Sequence, residues 1–136
     1  MRWMRRISLF ERHPAVASSL LVGDIVVSHT NLAGADRPNL HPALRELIDS
    51  LSTDESQGFD GRCAESALLS DQLWRLDAER KDGRVTTIAE AVPHFEGAVM
   101  TSRMIRPEGG PDHGKPTQPC AICASLLEAL HVRFVG

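Results

Sequence analysis

Apolar residues alternate and cluster along the chain in a pattern typical of an α/β protein. Two segments rich in Val, Leu and Ile, residues 15–22 and 25–30, predict two antiparallel strands. Gly23 and Asp24 between them fit a two-residue hairpin turn with Gly first. Residues 97–105 have the composition of a buried strand, and residues 132–135 fit a short final one.

Helical periodicity predicts the remaining elements. A helix is expected over 42–51, where one apolar stripe contains Leu44, Leu47, Ile48 and Leu51. Longer helices are expected from about 62 to 80 and from 119 to about 130. A capping box at Thr87 and Glu90 predicts a short helix to Val92. The order of elements predicts helices on both faces of a mixed sheet, a three-layer α/β/α arrangement.

The length and charge of the chain limit its organisation and partners. Its 136 residues predict a single domain, in which residues 1–14 form an N-terminal arm or short helix. A formal net charge of −3 excludes a strong attractive field for nucleic acid over the whole molecule. The apolar run at 15–27 is interrupted by polar residues and glycine, so no signal peptide, no membrane contact and a cytoplasmic location are expected.

Three cysteines carry the candidate chemistry. They argue against a disulfide framework and for a reducing compartment or a metal. Cys120 and Cys123 follow Pro119, which fits the first position of a helix, and the spacing places both sulfurs on one helix face. Cys63 begins another helical pattern, with Glu65 two residues later. Cys-x-Glu followed by Pro-Cys-x-x-Cys is the zinc deaminase signature with cysteine as the first ligand.

Zn²⁺ bound by Cys63, Cys120 and Cys123 keeps a fourth position for water, as catalytic zinc sites do. Glu65 is then expected to move protons without binding the metal. Three alternatives stand beside this interpretation. In the first, the cysteines are buried core residues. In the second, they belong to a structural zinc site that a histidine closes. In the third, one cysteine is the nucleophile of a Cys–His pair. The histidine candidates for the closed site are His94, His113 and His131.

With these residues, the chain from about 15 to 135 resembles the cytidine deaminase superfamily. It resembles more narrowly the YwqJ-like deaminases of bacterial polymorphic toxin systems, on three stretches: 97–103, 112–114 and the Pro119-Cys120 pair. The resemblance implies a Zn²⁺ cofactor, Glu65 as proton shuttle, and the backbone N–H groups of Ala64 and Cys120 around the reacting centre. It also implies that Asn31, after the second strand, contacts the substrate. Cys63 stands where nucleic-acid deaminases usually have histidine.

The resemblance implies hydrolysis of the exocyclic amine of a nucleobase, with cytosine in single-stranded DNA favoured and a toxin-type role. The expected partners are this nucleic acid or a nucleoside substrate, and an immunity protein; a toxin domain would be delivered to the cytosol of a target cell. The expected substrate-binding residues are Asn31, Ala64, Arg103, His113 and Pro119. The alternatives are a metabolic deaminase of free cytidine and a non-catalytic zinc-stabilised binding module. Glu65 argues against the last, because a structural zinc site does not need it.

Overall fold

The computed structural model describes residues 15–30, 39–51, 63–106 and 109–136. Asn31, the N-terminal arm at 1–14 and residues 52–62 lie outside this part. The strands are β1 (Ala15–Val22), β2 (Ile25–Thr30), β3 (Val99–Ile105) and β4 (Arg133–Phe134). The helices are α1 (Pro42–Ser50), α2 (Ala64–Arg80), α3 (Ile88–Ala91) and α4 (Ala121–Ala129), and a 3-10 turn (Val92–Phe95) follows α3.

The described strands form one mixed sheet in the order β2-β1-β3-β4. β1 is antiparallel to both β2 and β3, whereas β3 and β4 are parallel. Val22 pairs with Ile25, so the predicted two-residue turn is confirmed, and Gly23 has the positive φ of 61° that such a turn favours. The sheet and its helices confirm the predicted α/β class.

One face of the sheet supports the core. Side chains alternate along a strand, and on β1 the buried set is Ser18, Leu20 and Val22. The corresponding set on β3 includes Met100 and Ser102. Apolar residues of α1, α2 and α4 join Leu20, Val22 and Met100 in one core cluster. On the other face, Leu21 is 42% exposed and Val26 is 65% exposed.

The helix boundaries follow from local chemistry. His41 caps α1, because its Nδ1 accepts a hydrogen bond from the N–H of Ala43. The capping box of α3 is present as predicted, with both Thr87–Glu90 hydrogen bonds formed. Lys81 ends α2 in the left-handed conformation, at a φ of 59°. Among the described residues, no helix is long and apolar enough to cross a membrane.

The described part of the loop that follows β3 is hydrogen-bonded to the sheet. Its segment 114–117 runs antiparallel to β3: Met104 donates to the carbonyl of Lys115, and Thr117 donates to the carbonyl of Ser102. β4 pairs with Val99 and Met100 on the same edge of β3. The loop therefore extends that edge and leads directly into α4.

Candidate active site

The N-termini of two helices bring the sulfur atoms together. Cys63 is the N-cap of α2 and Cys120 is the N-cap of α4, both with extended backbone. The prediction that Pro119 occupies the first helical position is wrong. Cys120 takes the cap because its sulfur accepts a hydrogen bond from the N–H of Cys123 at 3.4 Å, so the helix begins at Ala121. Pro119 is half-buried just before the cap.

The three sulfurs have the spacing of a metal site. The Sγ atoms of Cys63, Cys120 and Cys123 all lie within 4.8 Å of one another, and those of Cys63 and Cys120 are 3.9 Å apart. Tetrahedral zinc–thiolate bonds of about 2.3 Å place two sulfurs about 3.8 Å apart. His94, His113 and His131 are all described, and none of them joins this group. The described residues thus provide three ligands and leave a fourth position for another group.

Hydrogen bonds among the three sulfurs make one thiol strongly acidic and the other two weakly acidic. Hydrogen bonds from the Cys123 and Cys63 thiols, with the N–H of Cys123, lower the pKa of Cys120 to about 2. The bond that Cys63 gives to Cys120 raises the pKa of Cys63 to about 12, with burial and the charge of Glu65 acting in the same direction. The pKa of Cys123 is also raised, by its bonds to the same sulfurs and by burial. A divalent cation would replace both remaining protons, so the sulfur set fits Zn²⁺.

Glu65 lies in the first turn of α2, beside the sulfurs, and is only 5% exposed. The hydroxyl of Ser102 donates a hydrogen bond to its Oε2 at 2.7 Å. Glu65 does not belong to the group that could hold the metal. A buried carboxylate next to an open ligand position can accept a proton from water and return it to a substrate, as a general acid–base requires.

The other predicted substrate-binding residues differ in how near they lie to the cysteines and Glu65. Ala64 is buried at the first position of α2, where its N–H has no partner within the helix. Arg103 is exposed, and the alternation of β3 directs it to the face opposite Ser102. His113 is exposed, and its Nδ1 accepts the N–H of Arg106 at 3.0 Å. The structure thus groups Ala64 and Pro119 with the cysteines and Glu65, but directs Arg103 away from Ser102.

Sequence reasoning missed Ser18 and Ser102, which are buried on the core face of the sheet. Their Oγ atoms are 2.6 Å apart. A signal for them exists in the sequence: each serine interrupts the apolar set of its strand, at a position where the alternation expects a core side chain.

The described geometry can be compared with known proteins. The family model of the YwqJ-like deaminases matches residues 5–132. Comparisons with curated proteins and with solved structures gave no match. Since the match spans nearly the whole sequence and includes both cysteine motifs, the chain belongs to the YwqJ-like deaminase family and is an enzyme of the deaminase class.

Proposed function

We propose that this deaminase depends on zinc and hydrolyses the exocyclic amine of cytosine in single-stranded DNA, in a toxin-type role. The observation that carries the zinc proposal is the convergence of three sulfurs with a buried carboxylate that is not a ligand. Cys63, Cys120 and Cys123 would hold the metal. When bound, Zn²⁺ would act as a Lewis acid and lower the pKa of a coordinated water to about 7.

The residues of the chain divide the remaining work. Glu65 accepts the proton of the attacking water, donates it to the ring nitrogen, and assists departure of ammonia. The N–H of Ala64 faces the reacting centre from the start of α2. Asn31 contacts the sugar, as the family resemblance implies, and His113 contacts phosphates from the loop that leads into α4. Arg103 contacts the nucleic-acid strand at a point farther from the reacting base.

The single-stranded substrate is favoured for a physical reason. A deaminase needs the base outside the stack, and a single strand avoids the unpairing cost of a few kcal/mol. The segment from 109 to 118 leads into α4 and offers His113 and Lys115 for phosphate contact. The Lys115 ammonium is 3.4 Å from Asp112, but both side chains are exposed, so this pair is weak and can be exchanged for a phosphate.

A toxin-type role carries two further proposals. The enzyme acts in the cytosol of a target cell, and an immunity protein protects the cell that produces it. Both rest on the family resemblance to polymorphic toxin systems.

The metal is tested by elemental analysis of the purified protein, which should contain about one zinc per chain. Serine at any one of the three cysteines should remove most of it, whereas Ser125→Ala should not, because this half-buried serine of α4 bonds to the carbonyl of Ala121. Because two thiols must lose protons, zinc affinity should fall as the pH is lowered. A fully active protein without metal would contradict the proposal.

The substrate is tested with cytidine, deoxycytidine, adenosine, and cytosine-containing single-stranded DNA, duplex DNA and RNA. Single-stranded DNA should be deaminated fastest, at a subsaturating rate that falls steeply with added salt. A salt-insensitive enzyme that prefers free cytidine would support the metabolic alternative instead, which the net charge of −3 favours. Zinc binding without turnover of any of these substrates would support the non-catalytic alternative.

A further inference from the structure

Two buried hydroxyl groups on the central strands link the sheet to Glu65 through hydrogen bonds. Ser18 on β1 and Ser102 on β3 are directly paired in the register, and they are 1% and 0% exposed. The backbone of Ser102 bonds to Thr117 on its other side, so its pair with Ser18 is the non-hydrogen-bonded kind, in which opposite side chains approach closely. Buried hydroxyls are costly unless they are hydrogen-bonded, and these two bond to each other and to Glu65.

The direction of these bonds is fixed by the carboxylate. The hydroxyl of Ser102 donates its single hydrogen to Oε2 of Glu65. The 2.6 Å contact between the serines must then use the hydrogen of Ser18. The chain of donors runs from Ser18 through Ser102 to Glu65. Among the described residues, the bond from Ser102 is the one hydrogen bond that the Glu65 side chain makes.

We propose that Ser102, oriented by Ser18, is a positioning residue for Glu65. By holding Oε2, it directs the other carboxylate oxygen, Oε1, to the reacting centre as the atom that accepts and returns the proton. This inference rests on the proposed function of Glu65. It assigns a role to two core serines whose side-chain hydrogen bonds, among the described residues, go to each other and to Glu65.

Ser102 donates this hydrogen bond from a strand that is itself hydrogen-bonded on both sides. Ser102 lies within β3, which is paired with β1 on one side and with the segment 114–117 on the other. Glutamate has three side-chain torsions, so its carboxylate needs an external anchor to stay within reach of the reacting atoms. A misplacement of about 1 Å in an active site costs about 100-fold in rate.

The kinetic test compares zinc-loaded variants on cytosine-containing single-stranded DNA, or on cytidine if that is the better substrate. Ser102→Ala should lower kcat about 100-fold, while KM and zinc content stay within twofold of wild type. Ser18→Ala should lower kcat about tenfold, because Ser102 keeps its bond to Oε2 but loses its orienting donor. Ser102→Thr, which keeps the hydroxyl, should recover much of the loss.

Ser70→Ala is the matched control. Ser70 is also a buried serine, but its hydroxyl accepts from the N–H of His41 and donates to the carbonyl of Asn39. Its removal should lower Tm and leave kcat unchanged. An equal kcat for wild type and Ser102→Ala would overturn the proposal.

A second measurement does not depend on activity. Ser102→Ala should lower Tm in the wild-type background and have a smaller effect when Glu65 is already alanine, because the buried acceptor is then absent. Equal Tm shifts in both backgrounds would show that the serine and the carboxylate are not coupled and would overturn the positioning role. If the coupling is present but the wild type deaminates no substrate, the proposed function fails and the contact between the two residues stands.

Discussion

Helix α2 carries one carboxylate near each end that is withdrawn from solvent, and the two have different surroundings. Near the C-terminal end, Asp77 has both oxygens occupied: Oδ2 bonds to the ring of His41 at 2.8 Å, and Oδ1 accepts the N–H of Thr86 at 2.7 Å. Near the N-terminal end, Glu65 is more deeply buried, yet among the described residues only its Oε2 accepts a hydrogen bond.

This difference separates a carboxylate that links parts of the fold from the one that we propose moves protons. Asp77 joins three parts of the chain, because His41 caps α1 and Thr86 precedes α3. Burial opposes its ionisation, but the hydrogen bonds from Thr86 and His41 prevail and lower the pKa of Asp77. Glu65 has one oxygen anchored and one available, beside three sulfurs that can hold a metal. An occupied carboxylate stabilises the fold, whereas a half-occupied one can exchange protons.

The largest expected effect is at Glu65. Glu65→Gln keeps an oxygen that accepts from Ser102 but cannot carry the proton, so kcat should fall by about 10²- to 10⁴-fold. Zinc content and Tm should stay near those of wild type. Elemental analysis, thermal unfolding and a deamination assay measure the three quantities. Loss of zinc in this variant, in proportion to the loss of activity, would mean that Glu65 supports the metal instead.

The opposite result is expected at Asp77. The Nδ1 of His41 accepts the N–H of Ala43, so its Nε2 carries the hydrogen that is donated to Asp77. The amide of Asp77→Asn has only one oxygen. If that oxygen accepts the N–H of Thr86, the NH₂ group faces the N–H of His41, and two donors meet without an acceptor. The unpaired buried donor should reduce the free energy of unfolding by about 1–3 kcal/mol. Urea denaturation measures this loss, and kcat per folded molecule should not change.

A smaller effect, the pH dependence of stability, distinguishes the contribution of the Asp77 charge from that of its shape. Because the folded-state pKa of Asp77 is lowered, its contribution to stability is complete above its unfolded pKa of about 3.9. That contribution is lost as the pH falls through the lower folded value. The stability difference between wild type and Asp77→Asn should therefore narrow below about pH 4. Urea denaturation at pH 6, 4 and 3 tests this, and a constant difference would mean that ionisation of Asp77 contributes nothing.

Much of the fold follows from local sequence. The hairpin at Gly23 and the capping box at Thr87 depend on neighbouring residues alone, and both are confirmed. The cysteine cluster could be predicted because the motif itself encodes which helix ends must meet. The position of Pro119 could not, because the sulfur of Cys120 competes for the cap and moves the start of α4 to Ala121.

The serine pair needed information that local patterns do not contain. Ser18 and Ser102 are 84 positions apart, and only the pairing of β1 with β3 brings them together. Their polarity on a buried face was visible in the sequence, but their partner was not. The same limit applies to His41 and Asp77, which are 36 positions apart and meet because residues 39–41, which lead into α1, are hydrogen-bonded to α2.

The attachment of segment 114–117 to β3 bears on how this family can diversify. The N–H of Arg106 reaches His113, and Thr117 is bonded to Ser102 three positions before Cys120. Both ends of the turn around Gly109 and Gly110 are thus fastened, and extra residues there add little closure entropy. Insertions at this turn would lengthen the loop without displacing a sulfur ligand. Under the proposed function, residues that meet the substrate can therefore change at the turn while the sulfur cluster stays fixed.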